Sequence, residues 1–257
     1  MPAAPTVTGR VLSLLGAFTA DEPELTLTQL SRLTGMPMST VHRLTGELVA
    51  WGALERGRRG PFRIGLRLWE VAALAPRSLG LRERAMPFLE DLVDATRQNV
   101  QLAVLDGYEA VYVERLSARG AVGVVSRVGG RLPLHATGVG QVLLAHAPPE
   151  VQEQVLSMPL PALTARTIVE PRALRRVLAD VRRSGVAVCD GQVELRSLSV
   201  AAPVRGSRGD VVAALSIVVP SDEHAAASYV PVVRAAARGI SRALGAAPAR
   251  PADHGGR

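Results

Sequence analysis

Side chains able to carry covalent or acid–base chemistry are few in this sequence and stand far apart. The 257 residues include five histidines and one cysteine, Cys189. The histidines are His42, His135, His146, His224 and His254. A nucleophile needs a neighbouring base, and a structural zinc site needs several cysteine or histidine ligands. The sequence also lacks a phosphate loop, paired Rossmann glycines and an HExxH motif. We therefore expect no enzyme, no cofactor and no metal.

A different chemistry is indicated by polar side chains on one face of a predicted helix at residues 38–51. On a helical wheel its apolar residues Val41, Leu44 and Leu48 fall on one side. The opposite side carries Ser39, His42, Arg43 and Gly46. Short or forked hydrogen-bond donors in the N-terminal half of such a helix suit base edges and phosphates. The predicted DNA contacts, which include one residue of the preceding helix and four arginines further on, are Thr28, Met38, Ser39, Thr40, His42, Arg43, Arg56, Arg58, Arg59 and Arg63.

The sequence allows two interpretations of Gly46. It either weakens the helix, as glycine does in helix interiors, or lets the backbone approach DNA closely.

The elements before this helix would position it. Apolar residues at helical spacing from Val7 to Phe18 predict a first helix that ends before Asp21. Thr26 and Gln29 form a capping-box pattern that starts a second helix, with Leu27, Leu30 and Leu33 turned inward and a stop at Gly35. Helix, tight glycine turn and amphipathic helix are the parts of a helix-turn-helix.

A hairpin and a linker helix follow the predicted recognition helix. Residues 54–56 and 62–64 flank Gly57-Arg58-Arg59-Gly60, which predicts a β-hairpin with an arginine-bearing tip. An apolar pattern from Leu66 onwards predicts a helix that Pro76 breaks. We expect a winged helix-turn-helix at 5–65, a linker helix at 66–76, a second domain at 77–247 and a disordered tail at 248–257.

The second domain alternates helices and strands. Helices are predicted at about 81–97, 137–145, 149–157 and 171–184, and a last one, capped by Ser221, to about 244. Strands are predicted at 100–105, 110–116, 121–127, 198–204 and 211–219, the first two joined by an Asp106-Gly107 turn. The fold class is therefore α+β, with a mixed or antiparallel sheet.

Charge and hydropathy allow a nucleic-acid partner without requiring one. The formal net charge is +7, and every basic residue is arginine. Residues 1–76 carry eight arginines against six carboxylates, so the positive excess is not concentrated in the first domain. No apolar run is long enough to span a bilayer and the N-terminus lacks a signal-peptide pattern. We expect a cytoplasmic protein without a membrane partner.

Several motifs resemble the IclR (isocitrate lyase regulator) family. Leu27–Leu30, Gly35–Leu44 and Phe62–Gly65 resemble its DNA-binding half. Leu132–Gly140, Ala201–Val204 and Ala213–Ser216 resemble its effector-binding half, a GAF-like domain. The resemblance covers roughly residues 5 to 245 and implies an effector pocket between the loop before Thr137 and the two late strands. The implied pocket residues are Leu132, His135, Ala136, Thr137, Gly138, Val139, Cys189, Asp190, Ser199, Ser216 and Val218.

The residues themselves give this pocket partial support. The glycine-bearing helix start at 137–140 would present free backbone N–H groups to an anion, with the hydroxyls of Ser199 and Ser216 opposite. The alternative is a capped helix that simply packs on a sheet.

The sequence departs from the family pattern at several pocket positions. The family usually has an acidic residue where this chain has Cys189, a cysteine at Ser199 and a serine at Val218. Gln141 stands where lysine is common, and Gly191 and Gln192 replace an acidic pair, which leaves Asp190 as the nearest carboxylate. The resemblance thus implies an effector larger or more apolar than a small carboxylate such as pyruvate or glyoxylate.

These observations predict a ligand-responsive regulator that represses a metabolic or catabolic operon. Its expected partners are double-stranded operator DNA, an unidentified small-molecule effector, and further copies of the chain in a homodimer or tetramer. The alternatives are an activator of the same family and a small-molecule sensor or adaptor without DNA binding.

Overall fold

The computed structural model describes residues 6–19, 21–57, 60–74, 79–221 and 225–247. It divides into two compact units, Met1–Leu79 and Gly80–Arg257. Pro76, the arginines at 58 and 59 and the predicted tail at 248–257 lie outside the described residues.

The first unit packs three helices against a small antiparallel sheet. The helices are α1 (Val7–Gly16), α2 (Leu27–Thr34) and α3 (Met38–Trp51), followed by α4 (Leu66–Ala72). The strands β1 (Glu24–Leu25), β2 (Leu54–Arg56) and β3 (Phe62–Ile64) lie in the order β1-β3-β2. Leu14, Leu30 and Leu44, one from each of the first three helices, are fully buried in its core. The predicted hairpin is confirmed, and β1 adds a third strand that the sequence pattern did not reveal.

Local signals set the ends of α2. The Thr26 side chain accepts from the Gln29 N–H, and the Gln29 side chain accepts from the Thr26 N–H, which completes the predicted capping box. Gly35 ends the helix with a φ of 67°, a conformation that glycine adopts without steric cost. The prediction that Leu33 turns inward is wrong: it is 47% exposed, although it lies only three residues after the buried Leu30.

The second unit is built on a six-stranded antiparallel sheet in the order β6-β5-β4-β9-β8-β7. Its strands are β4 (Asn99–Asp106), β5 (Glu109–Ser117), β6 (Arg131–Pro133), β7 (Ala187–Asp190), β8 (Ser197–Arg205) and β9 (Val211–Pro220). Its helices are α5 (Leu79–Thr96), α6 (Gly138–Ala145), α7 (Pro149–Ser157), α8 (Pro171–Ser184) and α9 (Ala225–Ala243).

Alternation along the strands gives this sheet two different faces. Val100, Leu102 and Leu215 point into a core with α5 and α9. Their neighbours Ala103 and Ala214 point into a second core with α6 and α8. Because side chains alternate between the two faces of a strand, Gln101 and Ser216 lie on the α6 side, paired with each other across β4 and β9.

One prediction for the second unit is wrong, and two strands were missed. Residues 121–127 are not a strand but part of a loop, whose carbonyl groups at Val122 and Ser126 accept from side chains instead of a strand ladder. Strands β6 and β7 were not predicted. The predicted cap at Ser221 stays a prediction, because residues 222–224 lie outside the described ranges; the Ser221 hydroxyl donates to the carboxylate of Asp190.

Within the described ranges, no helix is both long enough and apolar enough to cross a membrane.

Candidate functional site

Helix α3 separates its apolar and polar side chains as a recognition helix would. Val41 and Leu44 are fully buried, whereas Ser39, His42 and Arg43 are exposed. Thr28 and Met38 are exposed as well, and Thr40 is half-buried. The structure thus places the polar residues of the first half of α3 on one accessible surface, as predicted.

Arg43 is held on this surface by a weak partner. Its Nη1 lies 2.5 Å from Oε1 of Glu47, one turn further along α3, and both side chains are more than half exposed. Exposed pairs of this kind contribute at most about 1 kcal/mol. The guanidinium can therefore exchange Glu47 for a phosphate or a base edge.

The hairpin arginines are placed differently from one another. Nη2 of Arg63 lies 2.7 Å from Oε2 of Glu55 across the β2–β3 pair. This bond, together with the Leu66 N–H, lowers the pKa of Glu55, so the ion pair fastens the hairpin. Arg56 lies over the ring of Phe62, 5.7 Å from its centroid, and its side chain is exposed. Arg63, predicted to contact DNA, is paired within the wing but is as exposed as Arg43, and Arg56 is accessible as well.

The second unit contains a cavity between the sheet, the start of α6 and two loops. It encloses about 430 Å³ of space not filled by protein atoms, part of it open to solvent. Its polar lining residues are Gln101, Tyr112, Ser126, Thr137, Gln192, Glu194, Ser197 and Ser199. Its other lining residues are Val124, Val125, Leu132, Ala136, Gly138, Val139, Cys189, Val193 and Val218.

The N-terminus of α6 opens into this cavity. The Thr137 hydroxyl caps the helix by accepting from the Gly140 N–H at 3.0 Å. The N–H groups of Gly138 and Val139 precede the intrahelical hydrogen bonds, and both residues line the cavity. A Cβ on Gly138 would lie 2.6 Å from Oγ of Ser199, so glycine allows the helix start to sit directly on β8. Free N–H groups at the positive end of a helix form a seat for an anion.

The charges around the cavity are few. Burial raises the pKa of Tyr112 and that of Cys189 well above their ordinary values, so both side chains are neutral at pH 7. Among the lining residues, all of which the structure describes, only Glu194 carries a charge. The start of α6 therefore presents N–H dipoles and hydroxyls within largely apolar walls.

The structure brings together eight of the eleven predicted pocket residues and leaves three outside. The eight are Leu132, Ala136, Thr137, Gly138, Val139, Cys189, Ser199 and Val218. His135 is turned away from the cavity, and its Nε2 lies 3.0 Å from the Pro161 carbonyl oxygen. Asp190 pairs with Arg166 at 2.6 Å. Ser216 is fully buried beside Gln101 on the neighbouring strand, and its hydroxyl lies 3.4 Å from Oε1 of Gln101.

Sequence reasoning missed the contribution of two loops and of three strand residues. Residues 124–126 and 192–194 line the cavity from loops whose paths depend on tertiary contacts. Gln101, Tyr112 and Ser197 line it from β4, β5 and β8. A signal for Gln101 was present, because it is a lone amide in the apolar run Val100–Leu105, and a buried polar side chain needs partners.

In the described part of the chain, no cluster of three or more histidine, cysteine, aspartate or glutamate residues could hold a metal ion.

Comparisons with known proteins match both units. Residues 7–58 match the IclR helix-turn-helix domain, and residues 73–242 match the family described as bacterial transcriptional regulator IclR C-terminal. The chain is 32% identical over 241 residues to the HTH-type transcriptional regulator XynR of Escherichia coli, covering 92% of this chain and 96% of that protein. It is 30% identical over 215 residues to the transcriptional repressor IclR of the same organism, covering 82% and 78%.

A solved structure shows the same architecture. The crystal structure of an IclR homologue from Microbacterium hydrocarbonoxydans, complexed with 4-hydroxybenzoate, is 43% identical with a TM-score of 0.89. The match covers 93% of this chain and 99% of that one.

Proposed function

Because the chain belongs to the IclR family and is a ligand-responsive, DNA-binding transcriptional regulator, we propose that it represses a metabolic or catabolic operon and releases its operator when an aromatic carboxylate binds. The observation that carries this proposal is that the α6 N-terminus opens into a cavity with hydroxyl, amide and apolar lining residues and no cationic side chain. A repressor among its relatives, IclR of Escherichia coli, supports the direction of regulation. Operator DNA as partner would place the protein in the cytoplasm.

We propose that α3 enters the major groove with Ser39, His42 and Arg43 toward the DNA. Their exposure on one face of a helix whose other face is buried supports this docking. The DNA backbone beside these contacts would be reached by Met38, Thr40 and Thr28. Arg56 would reach it from the wing. Arg63 pairs with Glu55 across the two wing strands and, being more than half exposed like Arg43, can also contact the DNA backbone.

We propose that the protein acts as a homodimer, or as a tetramer of two such dimers, that reads two half-sites. Helix α4 has no buried residue, and its Leu66 and Trp69 are 63% and 66% exposed. Leu74, which follows α4, is 81% exposed, and Leu12 of α1 is 62% exposed. Exposed apolar patches of this kind mark protein interfaces. Two copies joined through α1 and α4 would form a symmetric pair of recognition helices.

The cavity favours a monoanion with an apolar body. Two free N–H groups at Gly138 and Val139 and the Ser199 hydroxyl suit one carboxylate, while the valine and leucine walls suit a ring. Glu194 disfavours negative charge near it, so a ligand with a single carboxylate placed at the α6 N-terminus is favoured over one with two. The ligand of the Microbacterium homologue, 4-hydroxybenzoate, has this composition, and we propose an effector of the same chemical class.

The DNA-reading part of the proposal is tested by fluorescence-anisotropy titration of the full chain onto its own promoter fragment. Arg43→Ala should weaken specific binding by about tenfold, because one charge-assisted contact contributes about 1–3 kcal/mol. Arg97→Ala in the second unit removes the same charge from an exposed position and serves as the matched control. Equal effects of both variants, or none from Arg43→Ala, would contradict the assignment of α3.

The same titration separates the two alternatives. A sensor or adaptor without DNA binding would give no salt-sensitive binding, whereas several phosphate contacts should cost about tenfold or more in affinity between low and physiological salt. An activator would bind its promoter with an affinity that the effector leaves unchanged or increases.

A further inference from the structure

We infer that Gln101 and Ser126 read a second polar group of the effector, a hydroxyl at the opposite end of the ring from the carboxylate. This inference rests on the proposed aromatic carboxylate and assigns a specificity role to two residues of the same cavity. It predicts that the protein distinguishes a 4-hydroxylated aromatic acid from the same acid without the hydroxyl.

The two polar ends of the cavity lie on different strands. The anion seat lies over β8, because the Gly138 start of α6 touches Ser199. Gln101 lies on β4, and β9 runs between the two strands. Two strand spacings separate β4 from β8 by about 10 Å. A single ring with substituents at opposite ends can bridge such a gap, whereas an acid of two or three carbons cannot.

Gln101 and Ser126 have hydrogen-bonding capacity to spare inside the cavity. Nε2 of Gln101 donates to Oγ of Ser126 at 2.7 Å, and the Ser216 hydroxyl approaches Oε1 of Gln101 at 3.4 Å. An amide group can donate two and accept two hydrogen bonds, so Gln101 retains one of each, and the Ser126 hydroxyl retains its proton. Gln101 is 4% exposed and Ser126 5%. A hydroxyl on the ligand could accept from one and donate to the other.

Because Gln101 and Ser126 are buried, their spare hydrogen-bonding capacity favours a ligand with a hydroxyl over one without. A ligand hydroxyl that reaches Gln101 and Ser126 replaces the water that these groups would otherwise bind. An unsubstituted ring would instead displace that water and leave the polar groups unpaired, which costs about 1–3 kcal/mol. The expected discrimination is therefore about tenfold or more in affinity.

The hydrogen bond between Gln101 and Ser126 also holds the loop at residues 118–130 on the sheet. A matched control must therefore separate loss of a ligand contact from loss of a loop anchor. The Ser126 carbonyl oxygen accepts from Nη1 of Arg115 at 2.6 Å, and the Val122 carbonyl oxygen accepts from Nδ2 of Asn99 at 2.7 Å. Asn99 is buried on β4 two residues before Gln101 and is absent from the cavity lining. Replacing Asn99 removes a loop anchor without removing a proposed ligand contact.

The test is isothermal titration calorimetry of the full-length protein with two probes, 4-hydroxybenzoate and benzoate. The wild-type protein should bind 4-hydroxybenzoate about tenfold or more tightly than benzoate. Gln101→Leu should bring the two affinities to within about threefold by weakening 4-hydroxybenzoate alone. Ser126→Ala, which leaves the sheet untouched, should also reduce the preference. Asn99→Leu should retain it.

Four results would overturn the inference. In two of them the wild-type protein binds neither probe, or binds both with the same affinity. In the third, the preference for 4-hydroxybenzoate survives in both Gln101→Leu and Ser126→Ala. In the fourth, Asn99→Leu abolishes the preference as fully as Gln101→Leu does. A third probe, 4-hydroxybenzamide, tests the proposed carboxylate seat separately, because it keeps the hydroxyl and lacks the charge. Equal binding of the amide and the acid would refute the anion seat and leave the role of Gln101 standing.

Discussion

At the scale of single residues, His135 shows how a side chain outside the ligand cavity can set a pH dependence. It is 2% exposed, and Nε2 must carry the proton to donate to the Pro161 carbonyl oxygen. Burial lowers the pKa of His135 below its ordinary 6.5, with the Pro161 bond acting in the opposite direction. The unfolded chain therefore takes up the second imidazole proton, which gives the charged form, at a higher pH than the folded protein does.

We predict that stability falls as the pH drops below about 6.5 and that His135→Gln makes this fall less steep. Glutamine can still donate to Pro161 but does not titrate. The measurement is the melting temperature of both proteins between about pH 7.5 and 5.5. His146, whose pKa burial also lowers, should preserve part of the slope in the variant. An identical slope in both proteins would show that His135 does not titrate in this range.

Single residues were predicted well where a local periodicity governed them. Buried and exposed residues recur along α3 with the period of the helix. Val41 is therefore buried and Ser39 and Arg43 are exposed, as predicted. The cavity depends on which strands pair and where loops run. The prediction that Asp190 lines the cavity was wrong for this reason. Asp190 forms an ion pair with Arg166, which lies in a loop that precedes α8.

At the scale of elements, α3 contains an exposed glycine that its packing does not require. A Cβ at Gly46 would meet no atom within 4 Å. We predict that Gly46→Ala raises the free energy of unfolding of the first unit by about 1 kcal/mol, because glycine in a helix interior is less favourable than alanine by that amount. Urea denaturation followed by circular dichroism measures the change.

The affinity of the Gly46→Ala protein for its operator then decides between the two interpretations of Gly46, a weak point of the helix or a site of close approach to DNA. Unchanged affinity would mean that the glycine is only a weak point of the helix. Reduced affinity in a more stable protein would mean that backbone approach to DNA requires it. A variant no more stable than the wild type would contradict the open surroundings of Gly46.

Elements were predictable where their ends carry local signals. The bounds of α3, α7 and α8 agreed with the sequence pattern, and the capping box at Thr26 set the start of α2. The valine-rich stretch at 121–127 failed because β-branched residues favour a strand only when a partner strand is available. The short strand β1 could not be predicted, because it forms only by pairing with β3, which is distant in sequence. Strand β7 was missed although it pairs with β8, the next strand along the chain.

At the scale of the whole molecule, oligomerisation should depend on α4. We predict that Trp69→Glu shifts the protein toward the monomer in sedimentation velocity and weakens operator binding, because a charge would be buried in the proposed apolar seam. Leu163→Glu changes an exposed apolar residue of the second unit, 43% accessible, and is the matched control. An unchanged sedimentation coefficient for Trp69→Glu would exclude α4 from the dimer interface.

Regulation requires that the ligand bind the free protein more tightly than the DNA-bound one. A ligand can shift operator affinity only as far as it discriminates between these two states, and typical couplings amount to about 5- to 150-fold. Changes confined to the cavity, such as Gln101→Leu, should therefore alter the ligand response and leave the affinity of the free protein for DNA unchanged.

The most direct test is the dissociation constant of the full-length protein for its own promoter fragment, measured with and without 4-hydroxybenzoate. The ligand concentration is one that raises the melting temperature of the protein, so that binding is established independently. The predicted result is a dissociation constant at least about tenfold higher with the ligand. A dissociation constant that the bound ligand leaves unchanged would contradict the coupling of cavity and DNA.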